Sequence, residues 1–133
     1  MGTQHATLTR PEPLSGWGSA GRTPVPRLVQ WMVTERCALS CPHCLSSPPS
    51  ARPELDLAAA TRLLDELAAL LVPELLLTGG EPLDRPDLPV LLGLIAERRV
   101  PWSLNTARMP DREARAAIEA WPPRFVAVSV DGP

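Results

Sequence analysis

Short apolar runs alternate with amphipathic segments through most of this chain, and prolines mark many of the boundaries between them. Four runs have the length and composition of β-strands, at residues 28–33, 74–77, 102–105 and 125–130. The three intervening segments repeat apolar residues at helical spacing, and each follows an aspartate suited to begin a helix: Asp56, Asp87 and Asp111. The predicted order of elements is therefore β-α-β-α-β-α-β.

Strands that alternate with helices pair in parallel through crossover connections, so this order predicts an α/β protein with about four parallel strands and three helices. The second and fourth runs are nearly all apolar, as expected of strands covered on both faces. A part of a β/α barrel and an open α/β sheet both fit, and both place their chemistry at the C-terminal ends of the strands. We expect the loops at 37–44, 79–81 and 129–131 to meet at that edge.

Aromatic residues are scarce, with no tyrosine and a single phenylalanine, so leucine, alanine and valine must fill most of the core. Two tryptophans that lie in predicted strands, Trp31 and Trp102, are expected in the core, and a place in the lining of a substrate cavity is the alternative. Trp121 is expected on the inward side of the third helix.

The chain divides into two parts that differ in glycine and proline content and in apolar periodicity. Residues 1–26 hold four glycines and four prolines with little apolar periodicity, which indicates a flexible tail or, alternatively, a docking arm anchored by Trp17. Residues 27–133 form the α/β core domain. Because Pro133 follows the fourth predicted strand directly, no helix or fifth strand covers that strand, and we expect the sequence to be the front part of a larger domain.

The charge balance and hydropathy exclude two classes of partner. The 133 residues carry 13 basic and 15 acidic side chains, a formal net charge of −2, so nucleic acid is not an expected partner. The longest apolar run, around residues 67–72, is far below the roughly 20 residues that span a bilayer, and no signal peptide pattern begins the chain. A cytoplasmic protein without membrane contact is expected.

All three cysteines, Cys37, Cys41 and Cys44, fall within eight residues in a C-x3-C-x2-C pattern. An odd, clustered set is a poor disulfide framework and in a cytoplasmic chain indicates a metal or cluster site. Three thiolates suit three irons of a [4Fe–4S] cluster, with the fourth iron open. Zinc with His43 as a fourth ligand is a second interpretation, although neighbouring side chains rarely reach one tetrahedral ion. In a third, the cysteines only pack as small apolar residues.

A second group of candidate residues follows the second predicted strand, where Gly79, Gly80 and Glu81 precede Pro82. Glycines let the backbone approach a ligand closely, and a carboxylate beside them suits an ammonium group. A Gly-Gly turn followed by a solvated glutamate explains the same residues without a ligand. The motif alone does not decide between these interpretations.

Together the two motifs resemble the radical S-adenosylmethionine (radical SAM) superfamily. The cysteine pattern follows strand one and Gly-Gly-Glu-Pro follows strand two, in the order and spacing of that family. The residues at 33–36, the Ser-Val-Asp-Gly sequence at 129–132 and the polar Asn105 are similar to the family as well. The resemblance covers residues 28–133.

This resemblance implies an incomplete (β/α)6 barrel of the TIM type, a [4Fe–4S] cluster held by Cys37, Cys41 and Cys44, and S-adenosylmethionine bound to the open iron. In the family, an electron from the cluster cleaves S-adenosylmethionine to a 5′-deoxyadenosyl radical, which abstracts hydrogen from a substrate. No side-chain base is needed for that cleavage. The resemblance implies an enzyme that acts in peptide modification or in cofactor biosynthesis. The implied partners are an electron donor such as a flavodoxin or a ferredoxin and an unknown substrate, with a peptide as one candidate.

The resemblance also assigns cofactor contacts residue by residue. Glu81, with the backbone of Gly79 and Gly80, matches the motif that holds the methionine amino group. His43 takes the place of a family aromatic residue near the adenine.

The remaining contacts come from the third and fourth strands. Ser129 and Asp131 match a motif that contacts the ribose or the methionine part, and Asn105 lies where the family has a polar residue near the cofactor. The sequence departs from the family at Ala38, which replaces a frequent asparagine, and at 105–107, which lacks the common Thr-Asn-Gly order. The fifth strand's adenine motif and a cysteine-rich extension have no counterpart.

Two other functions stay open at this stage. The bare edge beyond Val130 is compatible with a catalytically inactive remnant, or with a half-protein that needs a partner to close its barrel. A small zinc-binding module is the third hypothesis, and zinc without inorganic sulfide in the purified protein would favour it.

Overall fold

The computed structural model describes residues 25–44 and 53–130. The proposed N-terminal tail, apart from residues 25 and 26, and the candidate residue Asp131 lie outside these ranges.

The described residues form one parallel sheet with three helices. In chain order the elements are β1 (Val29–Thr34), α1 (Leu57–Ala69), β2 (Leu75–Gly79), a short 3-10 helix (Pro82–Asp84), α2 (Leu88–Glu97), β3 (Trp102–Thr106), α3 (Arg112–Ala120) and β4 (Val126–Val128). The strands lie in the order β1-β2-β3-β4, and each neighbouring pair is parallel. The predicted α/β fold with four parallel strands and three helices is confirmed. None of the helices in the described ranges has both the length and the apolarity to cross a membrane.

The register of β1 against β2 is interrupted at its C-terminal end. Met32 lies opposite Thr78 but Thr34 lies opposite Gly79, so β1 has one extra residue at this point. A bulge of this kind bends a strand and redirects the chain that follows it. It stands directly before the segment that carries the cysteines.

The core lies between the sheet and the helices that cover it. Trp31 and Trp102 are 8% and 4% exposed, which confirms their predicted place in the core. Its buried members on the helices are Ala60, Leu64, Leu67, Leu88, Leu91, Leu92, Ile95 and Ala117. Burying each leucine or isoleucine side chain stabilises the fold by about 1.5–3 kcal/mol before the entropy of ordering is subtracted.

Two of the three aspartates that precede the helices cap them as predicted. The carboxylates of Asp56 and Asp111 accept hydrogen bonds from the backbone N–H groups of Ala59 and Ala114, at 2.7 and 2.8 Å. Asp87 precedes α2 but makes no capping bond, because its carboxylate is paired with Arg85 at 2.7 Å.

The prediction for Trp121 is wrong. Helix α3 ends at Ala120, so Trp121 leaves the buried stripe of the helix and is 38% exposed. Its ring lies over Gly93 of α2, where a Cβ atom would be 3.3 Å from the ring.

The fourth strand differs from the prediction in length and burial. It runs over Val126–Val128 rather than 125–130, and all three of its residues are exposed. Strand β2, by contrast, buries Leu75 and Leu77 completely. In residues 25–44 and 53–130, β4 pairs with β3 and with no other strand, so the apolar composition of β4 does not correspond to burial within this part of the chain.

Candidate functional site at the C-terminal edge of the sheet

The loops that follow β1 and β2 meet at the C-terminal edge of the sheet, as predicted. The N–H of Gly80 donates to the carbonyl of Thr34 at 2.8 Å, and the N–H of Glu81 donates to the carbonyl of Arg36 at 2.7 Å. The Gly-Gly-Glu turn is thus bonded to the backbone that leads directly into Cys37.

Both glycines are required by this close approach. Gly79 has a φ of +145°, in a region that side-chain-bearing residues rarely adopt, and a Cβ atom there would overlap the carbonyl oxygen of Thr34. A Cβ atom on Gly80 would overlap the Arg36 carbonyl and lie 2.7 Å from the Glu35 carbonyl oxygen. Any larger residue would push the two loops apart.

Glu81 is buried, with 1% of its surface exposed, so its interpretation as a solvated glutamate is wrong. One carboxylate oxygen, Oε1, accepts from the hydroxyl of Thr106 at 2.7 Å and from the N–H of Leu83 at 3.0 Å. The other, Oε2, accepts from the N–H of Ala107 at 2.8 Å. The carboxylate therefore joins the loop after β2 to the end of β3 and caps the 3-10 helix.

The three cysteines are free thiols at the same edge. Cys37 and Cys44 are exposed and Cys41 is half-buried. The N–H of Leu39 donates to the Cys37 sulfur at 3.4 Å, and the N–H of Cys44 donates to the Cys41 carbonyl at 3.1 Å, closing a turn. Such an N–H···S contact stabilises thiolate charge.

This donor set fits an iron–sulfur cluster. In the described ranges, no three His, Cys, Asp or Glu side chains converge closely enough to hold one metal ion. The thiolates of a [4Fe–4S] cluster bind different irons of one compact cube and do not meet at a single ion, so three free cysteines on one short loop suit a cluster with one open iron.

Asp84 bonds the cysteine loop to the other two loops. Its carboxylate accepts from the N–H of Ala38 at 3.0 Å, next to Cys37 in the chain. The same carboxylate pairs with the guanidinium of Arg108, which follows β3. The loops after β1, β2 and β3 are therefore connected through one side chain.

The remaining candidates lie at or near this edge with different exposures. His43 is exposed in the turn between Cys41 and Cys44. Asn105 is half-buried on β3 and lies opposite Ala127 of β4. Ser129 is exposed, and its N–H donates to the carbonyl of Thr106 at 2.8 Å, which places it beside the end of β3.

The sequence interpretation missed Thr106, Asp84 and Arg85. Arg85 is 3% exposed and Thr106 is 5% exposed, and both bond to groups that lead into the site. A signal was present for Asp84 and Arg85, since a charged pair interrupts an otherwise apolar and proline-rich stretch three residues after Glu81.

The parallel α/β sheet, with the cysteine loop bonded to the Gly-Gly-Glu turn, is the arrangement to compare with known proteins. The model of the radical SAM superfamily matches residues 31–133, and the chain belongs to that superfamily.

Curated relatives have a range of printed functions. The chain is 38% identical over 126 residues to a PqqA peptide cyclase of Ruegeria pomeroyi, covering 90% of this chain and 33% of the relative. It is 44% identical over 118 residues to a pre-heme d1 synthase of Dinoroseobacter shibae, covering 83% of this chain and 28% of the relative. The chain thus spans a third or less of the length of these relatives.

Solved structures show the same fold. SuiB of Streptococcus suis bound to S-adenosylmethionine superposes with a TM-score of 0.66 at 19% identity, over 76% of this chain and 24% of SuiB. SuiB bound to the precursor peptide SuiA gives a TM-score of 0.65 at 19% identity, over 76% and 23%. The expected partial radical SAM barrel is confirmed at the level of the fold.

Proposed function

We propose that this protein binds a [4Fe–4S] cluster and S-adenosylmethionine and acts in radical modification of a substrate. The observation that carries the proposal is the pair of backbone hydrogen bonds between the Gly-Gly-Glu turn and the residues just before Cys37. The N–H of Gly80 donates to the Thr34 carbonyl, and the N–H of Glu81 donates to the Arg36 carbonyl. The cysteine loop and the Gly-Gly-Glu turn therefore lie side by side, which supports the proposal for a chain that belongs to the radical SAM superfamily.

Cys37, Cys41 and Cys44 would hold the cluster, because all three are free thiols on one loop and two of them are exposed. When bound, the cluster and S-adenosylmethionine would supply an electron and a 5′-deoxyadenosyl radical able to abstract hydrogen. The protein's part is to hold both groups in a fixed orientation and, at Cys37, to compensate the thiolate charge through the N–H of Leu39.

The backbone of Gly79 and Gly80 is the proposed contact for the methionine amino group of S-adenosylmethionine. The Glu81 carboxylate takes part in this contact by fixing the turn, since its oxygens already accept from Thr106, Leu83 and Ala107. A buried, fully bonded carboxylate also adds negative potential at the turn, which favours an ammonium group nearby.

His43, Asn105, Ser129 and Asp131 are the proposed contacts for the rest of S-adenosylmethionine. His43 lies within the cysteine loop and is proposed to contact the adenine because it takes the position of a family aromatic residue. The position of Ser129 beside the Thr106 carbonyl supports a contact from the loop after β4.

A peptide is the proposed substrate, and a flavodoxin or ferredoxin is the proposed electron donor. The peptide is supported by relatives named PqqA peptide cyclase and mycofactocin maturase and by the likeness to SuiB, which was solved with its precursor peptide. A cofactor precursor is the alternative substrate, and the relative named pre-heme d1 synthase supports it.

Anaerobic reconstitution with iron and sulfide tests this function. We expect iron and inorganic sulfide in about equal amounts, near four of each per chain, and formation of 5′-deoxyadenosine after reduction in the presence of S-adenosylmethionine. The Cys41→Ser variant is the control and should lose both. Zinc without sulfide in the purified protein would contradict the proposal.

A further inference from the structure

Arg85 contacts both ends of the segment that carries the cysteines. Its Nη1 atom donates to the carbonyl of Val33 at 2.6 Å, at the end of β1. Its Nη2 atom donates to the carbonyl of Leu55 at 2.8 Å, two residues before α1 begins. The described cysteine loop, residues 37–44, follows the first of these carbonyls and precedes the second in the chain, so one side chain contacts the backbone on both sides of it.

The guanidinium is held firmly in this position. Arg85 is 3% exposed, and its Nε and Nη2 atoms pair with the carboxylate of Asp87 at 2.7 and 3.2 Å. The guanidinium carbon lies 5.9 Å from the centre of the Trp31 ring. A buried cation is tolerated only when it is paired and hydrogen-bonded, and the planar guanidinium can reach several acceptors at once where a lysine ammonium cannot.

A second, independent contact joins the two sides of the loop. The hydroxyl of Thr34 donates to Glu54 at 2.6 Å, and Arg36 pairs with Glu54 at 3.3 Å. All of these groups belong to the protein itself. These bonds therefore hold the end of β1 and the residues just before α1 together at the base of the segment.

We propose that Arg85 is a positioning residue that holds the cysteine loop in its cluster-binding arrangement before any cluster is present. The inference rests on the proposed function, because it assumes that the loop carries the cluster. A loop that is already closed loses less conformational freedom when its thiolates bind a ligand, so the cluster is held more tightly. Arg85 follows the 3-10 helix that begins just after the Gly-Gly-Glu turn, so its bonds also fix the position of the cysteine loop relative to that turn.

The first measurement is amide hydrogen exchange on the metal-free wild-type protein. We expect protection at Ala38 and Cys44, whose N–H groups bond to Asp84 and to the Cys41 carbonyl. Exchange at the rate of an unstructured peptide at both positions would overturn the proposal without any variant.

The second measurement compares Arg85→Lys with the matched variant Arg98→Gln. Arg98 is likewise hydrogen-bonded to a carboxylate and to a backbone carbonyl, those of Asp65 and Leu94, and pairs with Glu97 at 3.6 Å, but it lies beyond the C-terminal end of α2. In Arg85→Lys we expect amide exchange in residues 35–44 to accelerate at least about tenfold, because the loss of one charge-assisted hydrogen bond has an effect of that size. The amides of β2 and β3 should stay protected. Arg98→Gln should leave the exchange of residues 35–44 unchanged.

The third measurement is the rate at which a chelator removes iron from reconstituted protein. Arg85→Lys should lose iron faster than wild type, and Arg98→Gln should not. Equal loop exchange in Arg85→Lys and wild type overturns the role of Arg85 even if the cluster binds. Failure of wild type to bind iron and sulfide instead overturns the proposed function and leaves the metal-free exchange result standing.

Discussion

The carboxylate of Glu81 accepts a 2.7 Å hydrogen bond from the hydroxyl of Thr106, which joins the loop after β2 to the end of β3. The bond is buried, and the same carboxylate also holds the N–H groups of Leu83 and Ala107. A glutamate that motif comparison alone would assign to the cofactor therefore has a second task. It fixes the relative position of two strand ends, and through them the shape of the candidate site.

Replacing Glu81 with glutamine should destabilise the protein although it preserves the shape of the side chain. The amide cannot accept from all three donors, so charge-assisted bonds are lost and the free energy of unfolding should fall by about 1.5–3 kcal/mol. Urea denaturation of the metal-free protein measures this. The exposed Glu97→Gln variant is the control and should change stability by less than about 0.5 kcal/mol.

The Thr106→Val variant checks the cause of that effect. If the Glu81–Thr106 bond is responsible, the double variant should lose less stability than the two single variants combined, with a coupling of about 0.5–3 kcal/mol. Strictly additive losses would show that the bond contributes nothing of its own.

Gly80→Ala should separate the cysteine loop from the turn after β2. A methyl group there overlaps the backbone carbonyls of Glu35 and Arg36, which cannot rotate away as a flexible side chain would. Unfolding free energy should fall by about 1–3 kcal/mol, and iron uptake on reconstitution should fall with it. Gly93→Ala is the matched control, because the nearest atoms to its methyl belong to the Trp121 side chain rather than to backbone, and normal iron uptake is expected. Equal iron uptake by both variants would contradict the idea that Gly80 must pack closely against the backbone before Cys37.

Asp84→Ala should loosen the cysteine loop with little effect on the rest of the fold. The variant removes the acceptor for the Ala38 N–H and the partner of Arg108. Because Asp84 is partly exposed, we expect no more than about 1 kcal/mol of lost stability but faster amide exchange at Ala38. Asp65→Ala, which breaks the exposed pair with Arg98, should leave Ala38 unchanged. Identical Ala38 exchange in wild type and Asp84→Ala would exclude this role.

The sequence predicted the sheet and its helices well because their signals are local. In the part of the chain that the structure describes, apolar periodicity located the four strands and three α-helices but not the short 3-10 helix, and Asp56 and Asp111 follow ordinary capping chemistry. The capping prediction was incomplete at Asp87, since its carboxylate pairs with Arg85, and that contact depends on tertiary structure.

The limits of the sequence interpretation lie in its burial predictions. Arginine and glutamate are normally exposed, so composition gave no reason to expect Arg85 and Glu81 at 3% and 1% exposure. Helical spacing predicts Trp121 on the inward side of the third helix, but α3 ends at Ala120 and the side chain is 38% exposed. These are long-range outcomes that a local pattern does not encode.

Electron paramagnetic resonance of the reconstituted, reduced protein, recorded with and without S-adenosylmethionine, tests the central claim most directly. A [4Fe–4S] signal that changes shape when S-adenosylmethionine is added, and that is lost in the Cys37→Ser variant, is the expected result. A protein that is folded and loaded with iron and sulfide, yet gives a signal indifferent to S-adenosylmethionine, would contradict the assignment of an open iron beside the Gly-Gly-Glu turn.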